Sequence, residues 1–251
     1  MTGPRTRRLL ARLAATLALA ALAFLGVRWG TGNRGDVVPG RVLRSAQLDS
    51  KMLAKVLRAE KIRTVLNLRG GNPHQPWYNA ERTATLAAGA SQVDFPMATD
   101  LWLSREQART LLRVLDSAEY PLLIHCQWGA ERTGLVAAFA VLLRPGGTLA
   151  EARRQFSLYY LFLPTRHGRM MSGHLDAYEA WLRSSHLDHA PEHFRRWLGS
   201  AYAPPPGGPS REIWRCNPYP LVEVHRPGTA RVDRVASAKP CPCDLVPRSR
   251  R

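Results

Sequence analysis

The stretch His125-Cys126-Gln127-Trp128-Gly129-Ala130-Glu131-Arg132-Thr133-Gly134 brings a thiol, a guanidinium and a hydroxyl into one short segment. A cysteine followed six positions later by arginine says little alone, because in a chain with 4 cysteines and so much arginine chance supplies it about four times in ten. Adding the histidine, the two glycines and the threonine at fixed places lowers that expectation to on the order of one in 10⁵. Pro121 to Ile124, just before it, is too short and too apolar for anything but a buried strand. Thr133 to Leu143, just after it, is apolar on nearly all sides, as a central buried helix is. A seven-residue loop between such a strand and a helix amino terminus can turn successive N–H groups inward. Together with the positive end of the helix dipole they form a concave anion site that fits a phosphate.

The same field lowers a thiol below its free pKa of roughly 8.5, so Cys126 is expected as a thiolate nucleophile rather than a plain buried cysteine. Arg132, in the first helical turn, can bind two phosphoryl oxygens with its planar fork, which lysine cannot do well. Gly129 and Gly134 permit the tight loop and close helix packing, and Thr133 sets a hydroxyl near the sulfur. His125 is expected to fix the loop by bonding backbone carbonyls rather than by transferring a proton. Gln127, Trp128, Ala130 and Glu131 complete the phosphate-binding loop, with Trp128 lining its mouth. Glu131 either points to solvent or assists the attacking water or the proton transfer.

Positioning such a loop requires a layered scaffold, and the pattern from Arg41 to Trp181 supplies one. Arg41 to Arg44 reads as a strand, Met52 to Lys61 as a helix, Ile62 to Leu68 as a continuous apolar strand, Tyr78 to Ala88 as a helix and Gln92 to Pro96 as a short strand. Ser104-x-x-Gln107 opens a helix running to Ser117, Thr148-x-x-Glu151 opens another, and Arg169 to Ser184 forms one more. The expectation is an α/β fold, a central, mainly parallel sheet flanked by helices, over residues 41–185. Residues 186–202 are expected as an accessory helix and 203–251 as a Pro/Arg-rich tail that opens on a linker and holds one plausible strand, Leu221 to His225.

At the loop the chain resembles the cysteine-dependent protein tyrosine and dual-specificity phosphatases, whose signature is His-Cys-x5-Arg followed by Thr or Ser. Arg44-Ser45-Ala46-Gln47 and Val65-Leu66-Asn67-Leu68-Arg69 are similar to the opening of compact bacterial and fungal members. The resemblance implies attack of the Cys126 thiolate on a phosphate monoester, a phosphocysteine intermediate and hydrolysis by water, with no metal and no cofactor. It also implies an aspartate on a separate loop that protonates the leaving oxygen. Asp100, in Pro96-Met97-Ala98-Thr99-Asp100, matches that place, although an Asp there can also simply start the Ser104 helix. Trp77, Tyr78 and Glu81 either border the cleft or pack in the core.

Arg5, Arg7, Arg8 and Arg12 precede an uncharged run from Leu13 to Val27 that Arg28 closes. Residues 1–30 therefore read as a signal peptide, with Ala21-Leu22-Ala23 as a cleavage site, or as a retained membrane anchor, followed by a Gly-rich hinge over 31–40. The positive-inside rule puts the rest outside the cytoplasm in either case, in the periplasm if the source is bacterial. The net charge of +17 is spread over the whole chain and built largely from arginine, so it marks no nucleic-acid face. Cys216 can pair with Cys241 or Cys243 in an oxidising compartment, and Cys241-x-Cys243 without a nearby histidine makes a poor zinc site.

The partner is then a phosphorylated protein, with phosphotyrosine first, or a phosphorylated small molecule. A phosphoinositide or inositol-phosphate phosphatase is the alternative enzyme. A non-catalytic module that only holds a phosphorylated partner, and an adaptor acting through the basic tail, are the alternatives outside catalysis.

Overall fold

The computed structural model describes residues 4–205, 222–230 and 232–236. Helix α1 (Pro4–Gly30) leads into β1 (Gly35–Val38), β2 (Val42–Ser45), α2 (Ser50–Ala59), β3 (Thr64–Asn67), α3 (Pro76–Ala87), β4 (Ser91–Asp94) and α4 (Arg105–Ser117). Then come β5 (Leu122–His125), α5 (Glu131–Leu143), α6 (Leu149–Arg154), a 3-10 turn at Leu158–Tyr160, α7 (Arg166–Ser184), α8 (Pro191–Arg196) with a π-helical turn at Trp197–Ala201, β6 (Val222–His225) and β7 (Val232–Ala236).

The sheet order is β1-β2-β5-β3-β4-β6-β7. Its centre, β2-β5-β3-β4, is parallel. The outer pairings, β1 with β2, β4 with β6 and β6 with β7, are antiparallel. The sheet is thus mixed rather than mainly parallel, because hairpins cap both edges of a parallel centre. Successive residues of each central strand face opposite layers. Leu43, Val65 and Leu123 pack under α2 and α3. Val42, Leu66, Leu122 and Ile124 join the larger core with α4, α5, α7 and α8.

Helix α5 has no polar face because it lies wholly inside that larger layer, with Leu135 to Phe139 entirely buried. Burying one such Leu or Phe contributes roughly 1.5–3 kcal/mol, so the core fixes the helix, and with it the loop at its head, without help from amphipathicity. The capping boxes at Ser104/Gln107 and Thr148/Glu151 form as their spacing requires.

Three boundaries differ from expectation. Residues 31–40 do not form a hinge: Asn33 is buried, and Gly35–Val38 makes the edge strand β1. The 186–202 segment is more than accessory, since Phe194, Trp197, Leu198 and Tyr202 belong to the main core. In the tail, the expected strand is β6, and β7 pairs with it. His225 Nε2 stands 3.1 Å from Asp94 Oδ2, which also accepts a 2.5 Å bond from the Tyr78 hydroxyl, so β6 is fastened to β4 by a buried polar contact. Cys216, Cys241 and Cys243 lie outside the described residues.

Candidate active site

The Cys126–Arg132 loop runs from the end of β5 to the second residue of α5, so a buried strand and a buried helix hold its two ends. Cys126 is 3% exposed. Burial pushes its thiol up, but the Arg132 charge, the Thr133 hydroxyl and the N–H groups of Thr133 and Gly129 win and hold it below the ordinary thiol value. Gly129 takes φ +66, and a Cβ there would lie 2.5 Å from the Ala46 nitrogen and 2.7 Å from the Ser45 carbonyl oxygen. Only glycine lets the loop lie this close on the end of β2. At Gly134 a Cβ would meet Phe156 at 3.0 Å, which is the close helix packing its position suggests.

Arg132 donates from Nη1 to the carbonyls of Met97 at 3.1 Å and Leu68 at 3.3 Å. Its buried Nε has no hydrogen-bond partner among the described residues, so the Nε edge of the fork is left for an anion. Those two carbonyls come from the segments after β3 and β4, so the loop's arginine is aimed by two neighbouring strand ends. Asp100 lies three residues beyond Met97, exposed and with no hydrogen bond or ion pair among the described residues. Glu131 is half-buried in the first turn of α5, and Gln127 is exposed. Trp128 is exposed too, and its ring stands 5.1 Å from that of Trp29 at the end of α1. Ala130, buried, forms the N-cap of α5 without a side-chain bond.

The backbone of Cys126 bears on His125, and so does a carboxylate. The His125 Nε2 lies 3.2 Å from Glu81 Oε1, both side chains almost fully buried, and Glu81 in turn accepts a hydrogen bond from the Gln47 amide. Burial opposes a charge on His125, yet Glu81 and the adjacent cysteine prevail and raise its pKa above the usual imidazole value. A histidine whose protonated form is favoured is thus held directly behind the nucleophile. Of the side chains expected to border the cleft or fill the core, Tyr78 and Glu81 are buried, and Trp77 carries the Arg69 guanidinium 3.5 Å above its ring.

Residues 26–145 match the model of a tyrosine phosphatase family. The match takes in the Cys126–Arg132 loop and covers just under half of the chain. No curated protein sequence matches the chain. Among solved structures it is similar to TpbA of P. aeruginosa, at 22% identity over 55% of this chain and 83% of that one, with a TM-score of 0.44. It is also similar to the core catalytic domain of the PP-IP phosphatase SIW14 of S. cerevisiae, at 18% identity over 61% and 93%, TM-score 0.44. The third is Tk-PTP, at 21% identity over 58% and 97%, TM-score 0.43.

The loop has supports that its own sequence does not announce. Arg44 is fully buried and donates to the Gly129 carbonyl at 2.7 Å and to the Gln155 carbonyl and side chain at 2.7 and 2.9 Å, with the Tyr160 ring 3.8 Å from its guanidinium. Burial lowers its pKa to about 10, which still leaves it cationic at neutral pH. Asn33 Nδ2 donates to the Trp128 carbonyl at 2.9 Å and the Tyr160 carbonyl at 2.8 Å, while its Oδ1 accepts from Arg28 at 2.7 Å. Arg69 stands close enough to Arg132 and Cys126 that the first lowers and the second raises its pKa, though burial is the largest cause of its net fall. A large surface cleft lined by Val38, Arg41, Tyr120, Leu143 and Arg195 sits at the carboxyl end of α5, a helix length from the loop, and takes no part in this site.

Proposed function

We propose that the protein is a membrane-anchored phosphatase that hydrolyses phosphate monoesters through a phosphocysteine intermediate, with its catalytic domain outside the cytoplasm. The observation that carries this reading is a buried cysteine whose pKa is lowered by an arginine, a threonine hydroxyl and two backbone N–H groups at the head of a buried helix. The terminal phosphate oxygens fill the loop against the inward N–H groups and the free edge of Arg132. Cys126 Sγ attacks phosphorus as the bond to the leaving oxygen breaks, and Asp100 gives that oxygen its proton. Water then attacks phosphorus, the S–P bond breaks, and Asp100 takes up the water's proton as inorganic phosphate leaves. Thr133 stabilises the departing thiolate, with His125, whose protonated form Glu81 favours, behind it. For Asp100 to act, the exposed bend it occupies has to close over the bound monoester. The anchor reading rests on Leu9 to Trp29, about 31 Å as a helix against roughly 30 Å of hydrocarbon, together with the contacts that join the end of α1 to the domain.

The test is hydrolysis of p-nitrophenyl phosphate by the full chain in detergent micelles with chelator and reductant present. Turnover that Cys126→Ser abolishes supports the reading. A folded, reduced protein that binds inorganic phosphate but turns nothing over refutes it in favour of a phosphate-binding module.

A further inference from the structure

The described residues outside α1 expose five large apolar side chains, Trp128, Leu158, Tyr159, Leu163 and Val232. Four of them lie on two segments that meet at the mouth of the Cys126 loop. Trp128 is inside that loop, and the Asn33 side chain that holds its carbonyl also holds the carbonyl of Tyr160. The 3-10 turn at Leu158–Tyr160 is followed by Leu161 at φ +57, a conformation that reverses the chain and leaves both Leu158 (68% exposed) and Leu163 (58%) in the open. Large apolar side chains grouped in this way are unusual on a protein that meets only water.

Their height relative to α1 says what covers them. Trp29, 65% exposed, ends the apolar span, where aromatic residues settle at a membrane surface. The Trp128 ring is 5.1 Å from it and so lies at the same level. Tyr159 touches Phe24, ring centroids 6.4 Å apart, and Phe24 is five residues nearer the middle of the helix, about 7.5 Å further into the bilayer. If Trp29 marks the surface, Tyr159 is below it. The turn carrying Leu158 and Leu163 therefore enters the same layer. Arg28 lies against the Tyr159 ring at 4.3 Å, and Arg166 and Arg169, exposed at the start of α7 just after Leu163, face anionic headgroups from the adjoining surface.

We propose that this apolar rim rests in the lipid surface from which α1 emerges, and that the loop it borders acts on a phosphate monoester carried on a lipid. The proposal rests on the anchored-phosphatase reading and replaces a phosphorylated protein with a lipid headgroup phosphate as the first substrate class. A soluble phosphoprotein would have to reach Cys126 between Trp128 and the bilayer, whereas a lipid phosphate already stands at that height. The reaction is the same hydrolysis, with water consumed, the lipid hydroxyl released and inorganic phosphate left in solution.

The full chain is reconstituted into phosphatidylcholine vesicles containing 10 mol% phosphatidic acid, about a tenth of the lipid and the simplest lipid phosphate monoester. Benzoylphenylalanine in place of Leu158 is expected to crosslink to acyl chains on illumination, and in place of the exposed Glu60 just after α2 it is not. Leu158→Asp/Leu163→Asp is expected to lower phosphatidic acid turnover at least tenfold (about 1.4 kcal/mol) and to leave p-nitrophenyl phosphate turnover within about twofold, which also shows that the variant folds. Absence of the Leu158 crosslink overturns the docking surface. Turnover of p-nitrophenyl phosphate without turnover of the vesicle lipid, or faster turnover of a phosphotyrosine peptide than of the lipid, overturns the substrate class. Crosslinking with no turnover of either substrate leaves the surface standing and removes the phosphatase reading beneath the substrate claim.

Discussion

Replacing Glu81 by glutamine removes the charge that faces His125 without changing the shape of the side chain. The two groups are 3.2 Å apart and both about 97% buried, so Coulomb attraction at an effective dielectric of 20 is about 5 kcal/mol. The cost of keeping both charges out of water offsets part of this, and about 3 kcal/mol is the expected net loss when the imidazolium is stranded. Because the folded His125 pKa is raised, the pair's contribution is complete below the unfolded value near 6.5 and disappears as pH climbs through the raised folded value. Glu81→Gln should therefore destabilise by about 3 kcal/mol at pH 5.5 and by progressively less as pH rises through the raised folded value. The assay is guanidinium unfolding of the full chain in micelles at pH 5.5 and at pH 9, for wild type, Glu81→Gln, His125→Asn and the double variant. The coupling energy from that cycle isolates the pair. A coupling energy of zero at pH 5.5, or one that grows as pH rises, would refute the His125–Glu81 ion pair.

Asp100→Asn should slow hydrolysis of an alkyl phosphate by about 10²–10⁴ and of p-nitrophenyl phosphate far less, since a good leaving group needs no proton; equal losses in kcat on both substrates count against Asp100 as the acid. Thr133→Val deletes one of the contacts that hold the Cys126 thiol down, so the acidic limb of kcat/KM against pH should move upward, with the loss largest at pH 5.5. An unmoved limb would mean that the hydroxyl does not touch the thiolate. Gly129→Ala combines a left-handed backbone with contacts under 3 Å to the backbone of Ser45 and Ala46, and should cost about 3 kcal/mol, lowering Tm by roughly 6–12 °C.

What the sequence made legible follows from how locally each feature is encoded. The loop, β5 and α5 are contiguous, and a short apolar strand, a fixed set of residue types and a long apolar run suffice to place them. The caps at Ser104 and Thr148 are equally local. Helix α7 starts three residues before the expected Arg169 because Thr165, a cap with no Glu or Gln three positions on, bonds the Gly168 N–H. Helix α2 stops at Ala59 rather than Lys61, since Lys61 turns to φ +50. Strand β1 stayed hidden because Gly35-Asp36-Val37-Val38 offers only a pair of valines among glycines, and its pairing with β2 is all that makes it a strand.

The supports of the site are non-local, and composition gives no sign of them. Glu81 is 44 positions from the histidine it faces, and Asn33 is 95 positions from the loop carbonyl it holds. Both are single polar residues that a sequence reading assigns to a helix face or a turn, and only burial reveals that each must have a partner. The physical consequence is a division of labour along the chain. Residues 125–134 specify the chemistry, whereas Arg44 and Gln155 fix the loop from behind, and Asn33 and Arg28 tie it to the end of the apolar helix. A change just beyond the end of α1, such as Asn33→Ala, therefore strands the Trp128 carbonyl and loosens a loop it never touches through the substrate. Its effect should be a lower kcat at unchanged thiolate pKa, because Arg132, Thr133 and the Gly129 N–H still face the sulfur. A kcat like that of wild type in p-nitrophenyl phosphate turnover would show that the helix end and the loop are mechanically independent.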